Sequence, residues 1–134
     1  MQLTSLRIII QNINPVVEFY QAVTGIKAII YTPDFAEIKT PLSTLAIGSV
    51  NTLAVFGDKN MAQPAANRSV IIEFRVDDVD ATYQQIKEAI DHVLVQEPTT
   101  MPWGNRSLLF RDPDGNLVNF FTPVVPEAKQ RFES

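Results

Sequence analysis

Apolar residues change their spacing several times along this chain, and each change marks an element. Leu6, Ile8 and Ile10 alternate with Ser5, Arg7 and Ile9, which is the period of a strand. The next apolar positions, Ile13, Val16, Val17, Tyr20 and Val23, recur at three and four and predict a helix. Asn12 stands where an N-cap accepts backbone N–H groups, Pro15 suits the first turn, and Gly25 falls at the C-cap. Four short runs follow, Ala28 to Tyr31, Phe35 to Ile38, Thr44 to Ile47 and Thr52 to Phe56, each bounded by turn residues and each predicted as a strand.

The same order returns after residues 57–68, whose Gly, Asp, Asn and Pro content reads as a connecting loop. Val70 to Val76 is a predicted strand. Asp77, Asp78 and Asp80 cap a helix running to about Ile90, with Val79, Tyr83, Ile86 and Ile90 along one side. His92 to Val95, Ser107 to Arg111 and Asn116 to Phe121 are the following strands, the last two joined by the tight turn Asp112-Pro113-Asp114-Gly115. An offset of 66 residues lays Ile10 on Val76, Asn12 on Asp78, Ile13 on Val79 and Tyr20 on Ile86, so the chain reads as an internal duplication. The expected fold is α+β, two pseudo-symmetric βαβββ modules forming curved mixed sheets around a concave cleft. Residues 1–134 are expected to be one domain: module one about 1–57, a linker about 58–67, module two about 68–123 and a tail 124–134. Within the tail, Pro126 to Phe132 reads as a short helix whose role as lid or dimer contact stays open.

Strand alternation then divides the side chains. Leu6, Ile8 and Ile10 are expected against the first helix, with Ser5, Arg7 and Ile9 in the cleft. Ile72, Phe74 and Val76 likewise leave Ile71, Glu73 and Arg75 to the cleft, and Val118 and Phe120 leave Leu117, Asn119 and Phe121.

Composition narrows the classes. A chain of 134 residues, 46% hydrophobic, buries roughly two-thirds of its unfolded surface and supports a core unaided. Zero cysteines exclude a disulfide scaffold and thiolate chemistry. A net charge of −4 without a basic stripe argues against a nucleic-acid partner. The apolar runs stop short of the ~20 residues of a membrane span, and Met1-Gln2-Leu3-Thr4 does not read as a signal peptide. A cytoplasmic location without a membrane partner is therefore expected. No phosphate loop, nucleophile elbow or His-Glu helix motif is present.

Four segments carry a family resemblance: Glu18-Phe19-Tyr20 ahead of Gly25, Phe74-Arg75-Val76-Asp77-Asp78-Val79-Asp80, Met101-Pro102-Trp103-Gly104-Asn105-Arg106, and Phe110-Arg111-Asp112-Pro113-Asp114-Gly115-Asn116. In this order the chain resembles the vicinal oxygen chelate superfamily, which includes glyoxalase I, extradiol dioxygenases, fosfomycin-resistance enzymes and bleomycin-resistance proteins. The resemblance implies the two-module fold, a homodimer and, in metal-dependent members, a divalent ion held by His or Glu from the first and last strand of each module. Here the first-strand places fall at Ser5 and Ile71. The last-strand places fall at Asn119 and at either Ala46 or Ala54. Ser and Asn offer neutral oxygen, but a two-His-one-carboxylate or His/Glu site cannot be built from this set. No metal and no cofactor are expected, and the chain is most like a non-metal, bleomycin-resistance-like member. The single histidine, His92, reads as a strand-end residue.

Arg7 and Glu73 share the 66-residue offset and are expected to face each other across the cleft. They are either a structural ion pair or ligand groups. As ligand groups, Arg7 would take an anion by its fork and Glu73 would act as base or cation partner. Arg75 joins that face. Trp103 either stacks on a planar ligand or packs on the body or a dimer seam. Phe121 and Phe56 offer apolar wall, Asn119 a ligand hydrogen bond, and Arg106 is expected to pair with an Asp of the terminal turn. The leading expectation is a metal-independent small-molecule binding protein of the sequestration or resistance type, a homodimer whose ligand site comprises Arg7, Glu73, Arg75, Trp103, Asn119 and Phe121. Two alternatives stand beside it: a lyase or isomerase on a small carbonyl or carboxylate compound, with Glu73 as base and Arg7 as stabiliser, and a dimeric interaction module with a vestigial cleft.

Overall fold

Asn12 begins the first helix as its spacing requires: its Oδ1 accepts the Asn14 N–H at 3.1 Å, and Gly25 ends the helix at φ +69°. The computed structural model describes residues 1–133. In chain order the elements are β1 (Ser5–Ile10), α1 (Ile13–Thr24), β2 (Ile29–Thr32), β3 (Phe35–Lys39), β4 (Thr44–Ser49), β5 (Ile71–Arg75), α2 (Val79–Ile90), β6 (Leu94–Thr100), β7 (Asn105–Arg111), β8 (Leu117–Pro123) and α3 (Pro126–Arg131). Short 3₁₀ segments span Val50–Phe56 and Asp91–Val93. Each repeat is thus βαβββ, and the α+β expectation holds.

Two compact units are formed. The first comprises Met1–Arg68 with Pro113–Gly115, and the second Ser69–Asp112 with the chain from Asn116 onward. In the first, the strand order is β1-β4-β3-β2, with β1 parallel to β4 and the other pairs antiparallel. α1 supplies Ile13, Val16, Val17, Tyr20 and Val23 to the core, and Ala36, Ile38, Leu45 and Ile47 supply the sheet's share. The second unit repeats the order as β5-β8-β7-β6, again with its first and last strands parallel. Val79, Ile86 and Ile90 of α2 are buried, as are Leu108, Phe110, Val118 and Phe120 of the strands. Asp78 caps α2 by accepting the Ala81 N–H, so the acidic run at its start does serve as a cap. No helix among the described residues is long and apolar enough to cross a membrane.

Three expectations are corrected. Thr52 to Phe56 is not a strand but the body of a 3₁₀ segment. Ser49 Oγ accepts the Asn51 N–H and Thr52 Oγ1 donates to the Ser49 carbonyl, and these local bonds take the place of a ladder. Leu6 is 43% exposed rather than packed under α1, because burial on this edge strand grows only toward Ile10. His92 lies in the 3₁₀ turn after α2, exposed beside Asp91, and the strand begins at Leu94.

The 3₁₀ segment is tied to the start of β3 through Asp34, whose Oδ1 accepts Ser49 O–H at 2.6 Å and Asn51 Nδ2–H at 3.2 Å. These bonds, Ser49 first, hold the Asp34 carboxyl below its ordinary 3.8. A depressed folded-state value means that the stabilisation is present above the ordinary value and is lost as pH falls through the lowered one. Acidification below pH ~4 is therefore expected to lower the melting temperature of wild type more than that of Asp34→Asn. Parallel curves for the two proteins would contradict this role.

Candidate functional site

The register of β5 on β8 places Glu73 opposite Asn119 and Arg75 opposite Phe121. Residues paired in parallel register project to the same face, and the contacts follow. Asn119 Nδ2 donates to Glu73 Oε2 at 2.9 Å. That bond fixes the amide's orientation, since only its N–H side suits a carboxylate. Asn119 is 9% exposed and stands behind Glu73. In this geometry its amide N–H positions the Glu73 carboxylate.

In front of this pair lies a cavity of about 550 Å³ lined by Glu73, Arg75, Trp103, Asn105, Phe121, Arg131 and Phe132. Trp103 comes from the β6–β7 loop and is 59% exposed, so its ring is available at the rim. The other wall is the chain's own C-terminal segment. Phe132 packs on Phe121 with ring centroids 5.1 Å apart, its carbonyl accepts an N–H from Arg75 Nη1 at 3.0 Å, and the Arg131 guanidinium lies 5.4 Å from its ring centre. Glu73, Arg75, Trp103 and Phe121 are thus brought together as expected of one face. Asn105, Arg131 and Phe132 were not anticipated. The short helix read over Pro126 to Phe132 is the one sequence signal that could have found the last two.

Asn105 Oδ1 and Asn119 Oδ1 are buried without a hydrogen-bond partner among the described residues.

Arg7 belongs to the first unit. It pairs in register with Ala46, and Ala46 with Glu37. Its guanidinium lies over Phe35 and Phe56, so Phe56 walls Arg7 rather than the cavity. Within the first unit Arg7 meets Phe35 and Phe56, and within the second Glu73 meets Asn119. Of the two last-strand places weighed for the first half, Ala46 is in β4, whereas Ala54 is in the 3₁₀ segment and drops out. Arg106 pairs with Asp80, Nε to Oδ2 at 2.9 Å, and not with the terminal turn. The turn's own Asp112 is buried and takes both the backbone and side-chain N–H of Asn116 at 2.9 Å.

The donor set at this site does not fit a transition-metal ion. Within this module the places that the resemblance marks for metal ligands hold Ile71 and Asn119, the nearby Glu73 carboxylate takes an amide N–H, and among the described residues no three His, Cys, Asp or Glu side chains converge. What the cavity offers instead is aromatic surface, one oriented carboxylate and two guanidinium groups.

A sequence model described as the Glyoxalase/Bleomycin resistance protein/Dioxygenase superfamily matches residues 2–120. An uncharacterized protein of Bacillus subtilis (strain 168), YraH, is 26% identical over 125 residues, covering 90% of this chain and 98% of that protein. The crystal structure of a glyoxalase/bleomycin resistance protein/dioxygenase family enzyme from Burkholderia phytofirmans PsJN has a TM-score of 0.79 at 20% identity, covering 92% of this chain and all (100%) of the other. A protein of unknown function from Agrobacterium tumefaciens gives 0.76 at 25% identity, with 91% and 94% covered.

Proposed function

The chain belongs to the glyoxalase/bleomycin resistance protein/dioxygenase superfamily, and from that premise we propose that its second module binds a small planar organic molecule without help from a metal ion. The observation that carries this reading is the cavity of about 550 Å³, which falls within the range of small-ligand sites. Trp103 and Phe121 enclose the ligand, and Glu73, held in place by Asn119, accepts from a donor on it. Arg75 and Arg131 orient an acidic or carbonyl group at the mouth. Enclosure of this kind needs no reacting group, so the activity is sequestration, and the protein works as a homodimer in the cytoplasm. The mismatch between the residue set and a His/Glu metal site supports the metal-independent part of the reading.

A thermal-shift and calorimetric screen of aromatic acids and aromatic amines tests it, run in chelator and again with added zinc, manganese or iron(II). A compound is expected to bind equally in both conditions, and Trp103→Ala to weaken it by up to about tenfold through loss of stacking. Binding that appears only with metal overturns the proposal. So does turnover of a bound carbonyl or carboxylate compound that disappears in Glu73→Gln, which would make the protein an enzyme with Glu73 as its base.

A further inference from the structure

Arg7 occupies on β1 the place that Glu73 takes on β5, but its surroundings differ in kind. Gly48 of β4 lies beneath its side chain. A Cβ there would sit 3.0 Å from Thr52 Oγ1 and 3.4 Å from Arg7 Cδ, so a side chain longer than one carbon at this place would press on the arginine where it crosses β4 toward β3. At the far side its guanidinium meets two rings, 5.0 Å from the centre of Phe35 and 5.9 Å from that of Phe56. Ring faces attract the cation but do not serve the N–H groups along the guanidinium's edge, which seek oxygen. The acid in the same cross-strand row, Glu37, is engaged elsewhere: Tyr31 donates its O–H at 2.8 Å, and the Lys39 ammonium stands 3.8 Å away. Within its own unit, among the described residues, Arg7 forms neither an ion pair nor a side-chain hydrogen bond.

A guanidinium flanked by rings loses little further freedom on binding and presents a planar fork, the geometry that a carboxylate matches with two bonds. Phe56, 62% exposed, provides apolar surface beside that fork for the rest of the ligand. The net charge of −4 gives no general attraction for anions, so any anion held here is held by this local arrangement. We infer that the first module contributes a ligand-binding group of its own, in which Arg7 receives the carboxylate of an aromatic acid beside Phe35 and Phe56.

Benzoate titrated into the full chain tests this, read from the arginine Nε–H and backbone amide NMR signals. Benzoate is expected to move the signals of Arg7, Phe35 and Phe56, and benzylamine, the same ring with the opposite charge, to leave them still. Arg7→Gln is expected to weaken benzoate binding by about tenfold or more, and Arg7→Lys by less, because charge is kept while the fork is lost. Gly48→Leu, which pushes Arg7 off the sheet, should match Arg7→Gln. Lys87→Gln, an exposed cation on α2, should bind as wild type does. Benzoate that leaves the Arg7 signals unmoved, or binds Arg7→Gln as tightly as wild type, overturns the assignment. Movement confined to Trp103 and Phe121 overturns it as well, by placing the acid in the other module's cavity. The wild-type titration decides alone, so a variant that misfolds does not shelter the inference.

Discussion

Phe120→Ala is expected to cost about 3–5 kcal/mol of folding stability, the usual loss when a buried phenylalanine is truncated. The ring is 1% exposed and sits between Phe74 at 5.4 Å and Phe110 at 5.1 Å, both edge to face. Removing it therefore loses two aromatic contacts as well as apolar burial, in a core with few ways to collapse around the gap. Against a total stability of about 5–15 kcal/mol, the loss brings the variant close to unfolding. Chemical denaturation followed by far-UV circular dichroism measures it through the shift in midpoint. A change under about 1 kcal/mol would mean that β8 is not at the centre of its module's core.

Gly104→Ala is expected to rank next. The backbone there has φ +94°, a region costly for any residue with a Cβ, and the added carbon would lie 2.0 Å from Val125 Cγ2 and 3.1 Å from Ala128 Cβ. The conformational penalty alone is about 1–3 kcal/mol. Overlap with Val125 adds to it, because the loop is pinned on both sides: Gly104 N–H donates to the Met101 carbonyl, and the Gly104 carbonyl accepts from the Val124 N–H, each at 2.9 Å. Something must give, and the less anchored partner at this contact is α3, which has six residues and buries Ala128 alone. Its release would carry Arg131 and Phe132 away from the cavity. Trypsin, which cuts after Lys129 and Arg131, should then cleave the tail faster than in wild type, while the melting point falls. Unchanged cleavage together with unchanged melting would show that α3 is not seated by this glycine.

Local chemistry was legible in the residues wherever one signal acted alone. Asn12, Gly25 and Asp78 cap as their types dictate, and the 66-residue offset anticipated that both halves use one order of strands and helix. The reading failed where two signals competed. Thr52 to Phe56 has the composition of a strand, but Ser49 and Thr52 satisfy the local backbone and wind it into 3₁₀ turns. Arg106 had acidic candidates near it in sequence, and its partner Asp80 lies 26 residues away. Periodicity placed Glu73, Arg75 and Phe121 on one face because a single strand pairing controls all three. It had no means of placing Phe132 against Phe121, since that contact depends on how the chain turns after β8. Arg7 was expected to face Glu73 across a cleft, and its two aromatic neighbours, which come from β3 and the 3₁₀ segment, were not anticipated.

One consequence of the strand order concerns the timing of assembly. β1 pairs with β4 and β5 with β8, both in parallel, so the first strand of each module remains without its partner until the last has been synthesised. Such pairings close long loops and are slow to form, and a chain emerging from the ribosome folds its N-terminal part first. The N-terminal sheet can close once Ser49 has left the exit tunnel, long before Leu117 is translated. The strand order therefore asks for two long-range closures, each completed only when a single last strand is in place.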